Sequence, residues 1–163
     1  MTRARQAIVA AALQESDPAR VLERANSTIL LQEGVMVTAI CGFIDPATRE
    51  IVYATAGHPP PILAHAVEAP STLPSEGLPL GIFPDSRYRT FTAQATASDV
   101  LVLYTDGVIE YERDPVRGVA RLLEAAVGLT ASASPAVDLY QSVFGAGEPS
   151  DDVAILTASF VTA

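Results

Sequence analysis

Apolar residues first recur at helical spacing. Ile8, Val9, Ala12 and Leu13 fall on one stripe in a stretch without Gly or Pro, which predicts a helix over residues 1–13. Ser16-Asp17-Pro18 offers a cap followed by proline at the first helical position, and Val21, Leu22, Ala25, Ile29 and Leu30 line one face of a second helix ending near Gly34. The period then changes. Residues 35–44 are almost wholly apolar and partly β-branched, the pattern of a central strand covered on both faces. Asp45-Pro46-Ala47-Thr48 reads as a turn, residues 50–56 as the hairpin partner, and Gly57-His58-Pro59-Pro60-Pro61 as a break before a short resumption at Ile62-Leu63-Ala64.

Residues 68–84 are rich in Pro, Gly and Ser and read as a surface loop. Residues 87–95 alternate as a strand does, and 100–105 form a second continuous apolar run that stops at Asp106-Gly107. Val119, Leu122, Leu123, Ala126 and Val127 mark a helix, Ser134-Pro135 starts another, and residues 153–161 make the last strand. Hairpin-like groups of strands, with helices at the start and before the last strand, predict an α+β fold with mainly antiparallel sheets rather than alternating βαβ units.

Composition narrows the functions. The chain has 163 residues, enough for one domain with a real core, so a single globular unit over 1–163 is expected. Ten basic residues, all Arg and scattered, against nineteen acidic ones give a net charge of −9, which disfavours nucleic acid and anionic lipid as partners. No apolar run approaches the length of a membrane span. The single cysteine, Cys41, lies inside an apolar run, so it makes no intrachain disulfide and reads as a core residue; a reducing, cytoplasmic setting fits.

Candidate chemistry centres on two carboxylates at strand boundaries. Asp106 ends the run of residues 100–105, and Asp151, in Ser150-Asp151-Asp152-Val153, opens the last one. If those strands are antiparallel neighbours, both aspartates share one rim, where a hard cation such as Mg²⁺ or Mn²⁺ finds oxygen ligands. By spacing alone, Asp-Gly reads equally as a turn and Ser-Asp-Asp as a loop or cap. Glu110 and Glu112 read as a solvated loop edge. His58, beside a triproline, reads as a turn residue, and His65 carries no further pattern.

Five blocks in order, residues 38–46, 53–63, 77–81, 101–110 and 151–156, resemble the successive C-terminal blocks of SpoIIE-like phosphatases, metal-dependent serine/threonine phosphatases of the 2C type (PPM). The resemblance implies a mainly antiparallel β-sandwich flanked by helices. It also implies a metal role for Asp106 and Asp151, with Asp152 in support and Gly107 letting the backbone turn tightly at the site. It implies as well a two-metal site for Mn²⁺ or Mg²⁺, water activated to attack phosphoserine or phosphothreonine, and a phosphoprotein substrate such as an anti-sigma-factor antagonist.

Two blocks of that family, one with a Gly-Asp and one of the form Asp-Val-x-Gly-His-Gly, have no counterpart here, nor do the N-terminal strands that bear them. The expectation is therefore an N-terminally incomplete domain with an impaired metal site, or a non-catalytic interaction module. A sheet edge left open by the absent strands is expected to recruit a second copy into a homo-oligomer.

Overall fold

The computed structural model describes residues 2–31, 34–110, 114–147, 149 and 151–161. The chain gathers into two compact units, one from residues 1–58 and 74–94, the other from 59–73 and 95–163. Both are mixed α+β with antiparallel sheets, as the sequence pattern predicts.

In the first unit, α1 (Thr2–Ala12) and α2 (Pro18–Ile29) stand with β1 (Ala39–Ile44), β2 (Glu50–Ala56) and β5 (Thr90–Gln94). α2 begins where the sequence says it should, because the Asp17 side chain accepts the Ala19 N–H at 3.1 Å and Pro18 supplies a preset φ. Its Val21, Leu22, Ala25 and Ile29 are buried against Ala39, Cys41, Ala54, Ala56 and Leu80. β1 and β2 form the expected hairpin, Ala39 opposite Ala56 through Ile44 opposite Ile51, and β5 joins the far side of β2.

Residues 35–44 depart from expectation. β1 starts only at Ala39 and is the last strand of its sheet rather than a central one. Gly42, Phe43 and Ile44 are exposed, and Val37 contributes a lone bridge to Leu80. An apolar run signals burial somewhere along its length but does not say how many neighbours the strand has.

The second unit holds β3 (Ile62–Ala64), β4 (Ser71–Thr72), β6 (Val100–Tyr104) and β7 (Ile155–Ser159) in the order β4-β3-β6-β7, with α3 (Pro115–Ala125) and α4 (Pro135–Phe144). β4 lies inside the stretch read as loop. Its two residues are too few to show a period. Alternate side chains of β6, Val100, Val102 and Tyr104, share a core with Val108, Ile109, Leu122, Leu139 and Val143. Among the described residues no helix is long and apolar enough to cross a membrane.

Candidate metal centre

β6 and β7 run antiparallel, with Val100 opposite Ser159 and Tyr104 opposite Ile155. The end of β6 and the start of β7 therefore share one rim of the sheet, and the residues just beyond each strand face one another there. Thr105 fastens the rim. Its N–H donates to the Ala154 carbonyl at 3.0 Å, its hydroxyl donates to the Asp152 carbonyl at 3.3 Å, and the same oxygen accepts the Ala154 N–H at 2.9 Å. Three bonds from one residue hold the Asp152–Ala154 backbone beside the start of the turn that carries Asp106.

Asp106 opens a single 3₁₀ turn, Asp106–Val108, whose carbonyl accepts the Ile109 and Glu110 N–H groups, both at 2.9 Å. The Asp106 carboxylate accepts the Gly107 N–H at 3.0 Å, and Asp151 accepts the Asp152 N–H at 2.7 Å. Each carboxylate thus has one oxygen committed to adjacent backbone and stays exposed to solvent. Asp152 takes part through its main chain, as the acceptor of the Thr105 hydroxyl.

Gly107 lies in that tight turn, and a close backbone approach accounts for its missing side chain. Its φ is not positive, so no left-handed turn calls for glycine. A Cβ there would instead come within 2.6 Å of the Asp152 carbonyl oxygen. The absent side chain lets the 3₁₀ turn close onto the 151–153 segment, which brings the Asp106 and Asp151 loops together.

Among the described residues no group of three His, Cys, Asp or Glu side chains gathers to hold a cation. Two or three carboxylates at an open rim supply fewer oxygens than the six or so a hard divalent ion takes, and far fewer than a pair of ions needs. The described donors on their own therefore do not fit a two-metal centre. Glu110 is exposed, while Glu112 and Ser150 lie outside the described residues. His58 belongs to the first unit, where its carbonyl accepts the Ser75 hydroxyl at 2.5 Å. Sequence reasoning gave no role to Thr105, although a Thr between an apolar strand and an Asp was the available signal.

A family model described as Stage II sporulation protein E (SpoIIE) matches residues 1–161. The phosphoserine phosphatase RsbP of Bacillus subtilis is 36% identical over 73 residues, covering 45% of this chain and 18% of that protein. Among solved structures, the RsbU and RsbW domains of Rv1364c from Mycobacterium tuberculosis superpose with a TM-score of 0.83 at 24% identity, over 100% of this chain and 48% of that one. The catalytic domain of the serine/threonine phosphatase PstP in complex with 2 manganese ions gives a TM-score of 0.68 at 18% identity, over 98% of this chain and 81% of that one. The chain therefore spans about a fifth of its curated relative and about half of the first of these structures.

Proposed function

The chain belongs to the SpoIIE family, and from that premise we propose that it supplies part of the active centre of a divalent-metal-dependent phosphatase acting on phosphoserine or phosphothreonine of a regulatory protein. The reading is supported chiefly by the Thr105 fastening and the side-chain-free approach of Gly107 to Asp152, which bring two aspartate-bearing loops to one solvent-open rim. Exposed carboxylates at such a rim suit Mn²⁺ or Mg²⁺, and their free oxygens would form part of the coordination shell. The remaining ligands would come from outside the described residues or from water. RsbP, a phosphoserine phosphatase by name, points to a phosphoprotein substrate, in our reading an anti-sigma-factor antagonist met in the cytoplasm.

Manganese broadening of amide NMR signals tests this directly. Residues 105–107 and 151–153 should broaden in the wild type and lose that effect in Asp106→Asn, while p-nitrophenyl phosphate is not turned over by the 163-residue chain. Broadening elsewhere, with this rim silent, would remove the metal reading. Manganese-dependent turnover abolished by Asp106→Asn would show instead that these carboxylates suffice.

A second reading, a non-catalytic interaction module, is favoured by β1, the last strand of its sheet, with its own Phe43 and Ile44 exposed. Its unpaired backbone groups suit a second copy of the chain. Light scattering should then report a mass above 17.1 kDa that rises with concentration. A mass that stays monomeric on concentration would rule out edge pairing.

A further inference from the structure

Away from the acidic rim, His65 and Ser71, six positions apart, meet the remote Asp99 in the second unit. Asp99 is buried, its side chain only 1% exposed, and lies 3.4 Å from His65 Nδ1. The other ring nitrogen, Nε2, is 3.2 Å from the hydroxyl of Ser71, which is exposed on the two-residue strand β4. We propose that Ser71, His65 and Asp99 form a nucleophilic serine site that accepts acyl groups from small activated carboxylic esters.

The hydrogen-bond directions follow from the chemistry of the three groups. A carboxylate only accepts, so the proton between His65 and Asp99 sits on Nδ1, and Nε2 is left as an acceptor for the Ser71 hydroxyl. Burial raises the Asp99 carboxyl, yet hydrogen bonds from the Thr96 and Ala66 N–H groups, at 2.8 and 3.2 Å, together with those from the Thr96 hydroxyl and His65, outweigh it and hold the carboxyl below its ordinary value. Asp99 is therefore an anion fixed from several sides. It orients the ring and favours the imidazolium that forms when the serine gives up its proton.

β4 also places a backbone donor beside the nucleophile. The Leu73 N–H donates to the Pro61 carbonyl at 2.7 Å, and Thr72 stands opposite Ile62. Ladder bonds alternate along an antiparallel strand, so the Thr72 N–H turns away from β3 toward the open side of β4, the last strand of its sheet. There it can meet the oxygen of an attacked carbonyl. The site lies on an open strand edge, so the reactivity of the ester rather than an enclosing pocket drives the first step.

In the first half-reaction the Ser71 Oγ bonds to the acyl carbon while its proton passes to His65 Nε2. The carbon–oxygen bond to the leaving alcohol then breaks, and that oxygen takes the proton from Nε2. Water reverses the sequence. It gives a proton to Nε2 as its oxygen joins the acyl carbon, and Ser71 leaves with the proton returned, releasing the carboxylic acid. Ser71 and His65 are the catalytic residues, and Asp99 is a positioning residue.

The probe is p-nitrophenyl acetate with peptide mapping of the acetylated chain. The protein suits the assay, since all ten of its basic residues are Arg and its one thiol is buried, so few competing nucleophiles exist. Acetyl is expected on Ser71, absent in Ser71→Ala, and formed on the order of 10²-fold more slowly in His65→Ala, the low end of a general-base contribution. Free imidazole should restore part of the rate to His65→Ala, which lost packing would not explain. Asp99→Asn should slow acetylation and Asp99→Glu recover part of it, with circular dichroism confirming that each variant is folded. Acetylation mapped elsewhere, or equal rates in wild type and His65→Ala, would overturn the proposal.

Discussion

The two units solve one problem with different chemistry. Each must hold an irregular segment that no helix or long strand organises, and each does so with a fully buried polar side chain. In the first unit the anchors are neutral. Asn26 donates to the Phe83 carbonyl at 2.9 Å and accepts the Gly81 N–H at 2.8 Å, while the Thr55 hydroxyl donates to the Glu76 carbonyl at 2.8 Å and accepts its N–H at 3.0 Å. Together they hold residues 76–83. In the second unit the anchor is Asp99, an anion that ties the 96–99 turn to His65 and Ala66. A neutral amide or hydroxyl is cheap to desolvate and two or three bonds satisfy it, whereas a carboxylate is costly to bury and draws donors from several sides. The neutral anchors serve order alone. The charged one also conditions a neighbouring ring.

The largest effect expected from this difference comes from removing a neutral anchor. Asn26→Ala leaves the half-buried Gly81 N–H without that partner, while the Phe83 carbonyl keeps the Ser86 hydroxyl at 3.0 Å, so the loss should be about 1–3 kcal/mol. Urea unfolding measures the total, and amide hydrogen exchange should show protection lost first at Gly81 and its neighbours in the first unit. If exchange rises equally in β6, the two segments do not have separate anchors.

Much of this was legible in advance, and the reasons it was partly hidden are physical. The carboxylates at the ends of β6 and β7 could be read because an apolar run that stops at Asp-Gly or starts after Asp-Asp marks a strand boundary, and antiparallel pairing then fixes the rim. Gly107 was singled out for a tight turn, and sequence shows that a Cβ is absent but not which carbonyl its absence admits. Residues 76–83 looked like loop because their order rests on single side chains from elsewhere, Asn26 and Thr55, and bonds spanning 21 to 57 positions leave no local pattern. His65 and Ser71 are six positions apart, but their meeting with Asp99 depends on β3 lying between β4 and β6.

A smaller effect should follow from acid. Because the folded Asp99 carboxyl lies below its ordinary value of about 4, its contribution to stability is fully present above that pH. As the pH falls further the unfolded chain takes up the proton first, and the contribution is gone once the pH has passed below the folded group's own depressed value. Exchange protection at Ala66 and Thr96 should therefore fall on acidification through this range while that at Gly81 and Glu76 holds. One carboxylate of the first unit follows the acidic pattern. Asp45, exposed in the β1–β2 turn, is lowered by the Ala47 and Thr48 N–H groups, so protection at Ala47 should fall too. Loss at Gly81 in step with Ala66 would break the distinction between neutral and charged anchors.

The pairing of β6 with β7 also governs which changes of chain length the protein can inherit. Ile155 packs against the core while Leu156 is largely exposed, and a strand alternates its faces residue by residue. Deleting one residue just before β7 would draw the strand along by a single position, turning Leu156 inward and Ile155 outward and moving Asp152 off its place beside Gly107. From Asp151 to Ser159 the acidic rim and the strand are transmitted as one block.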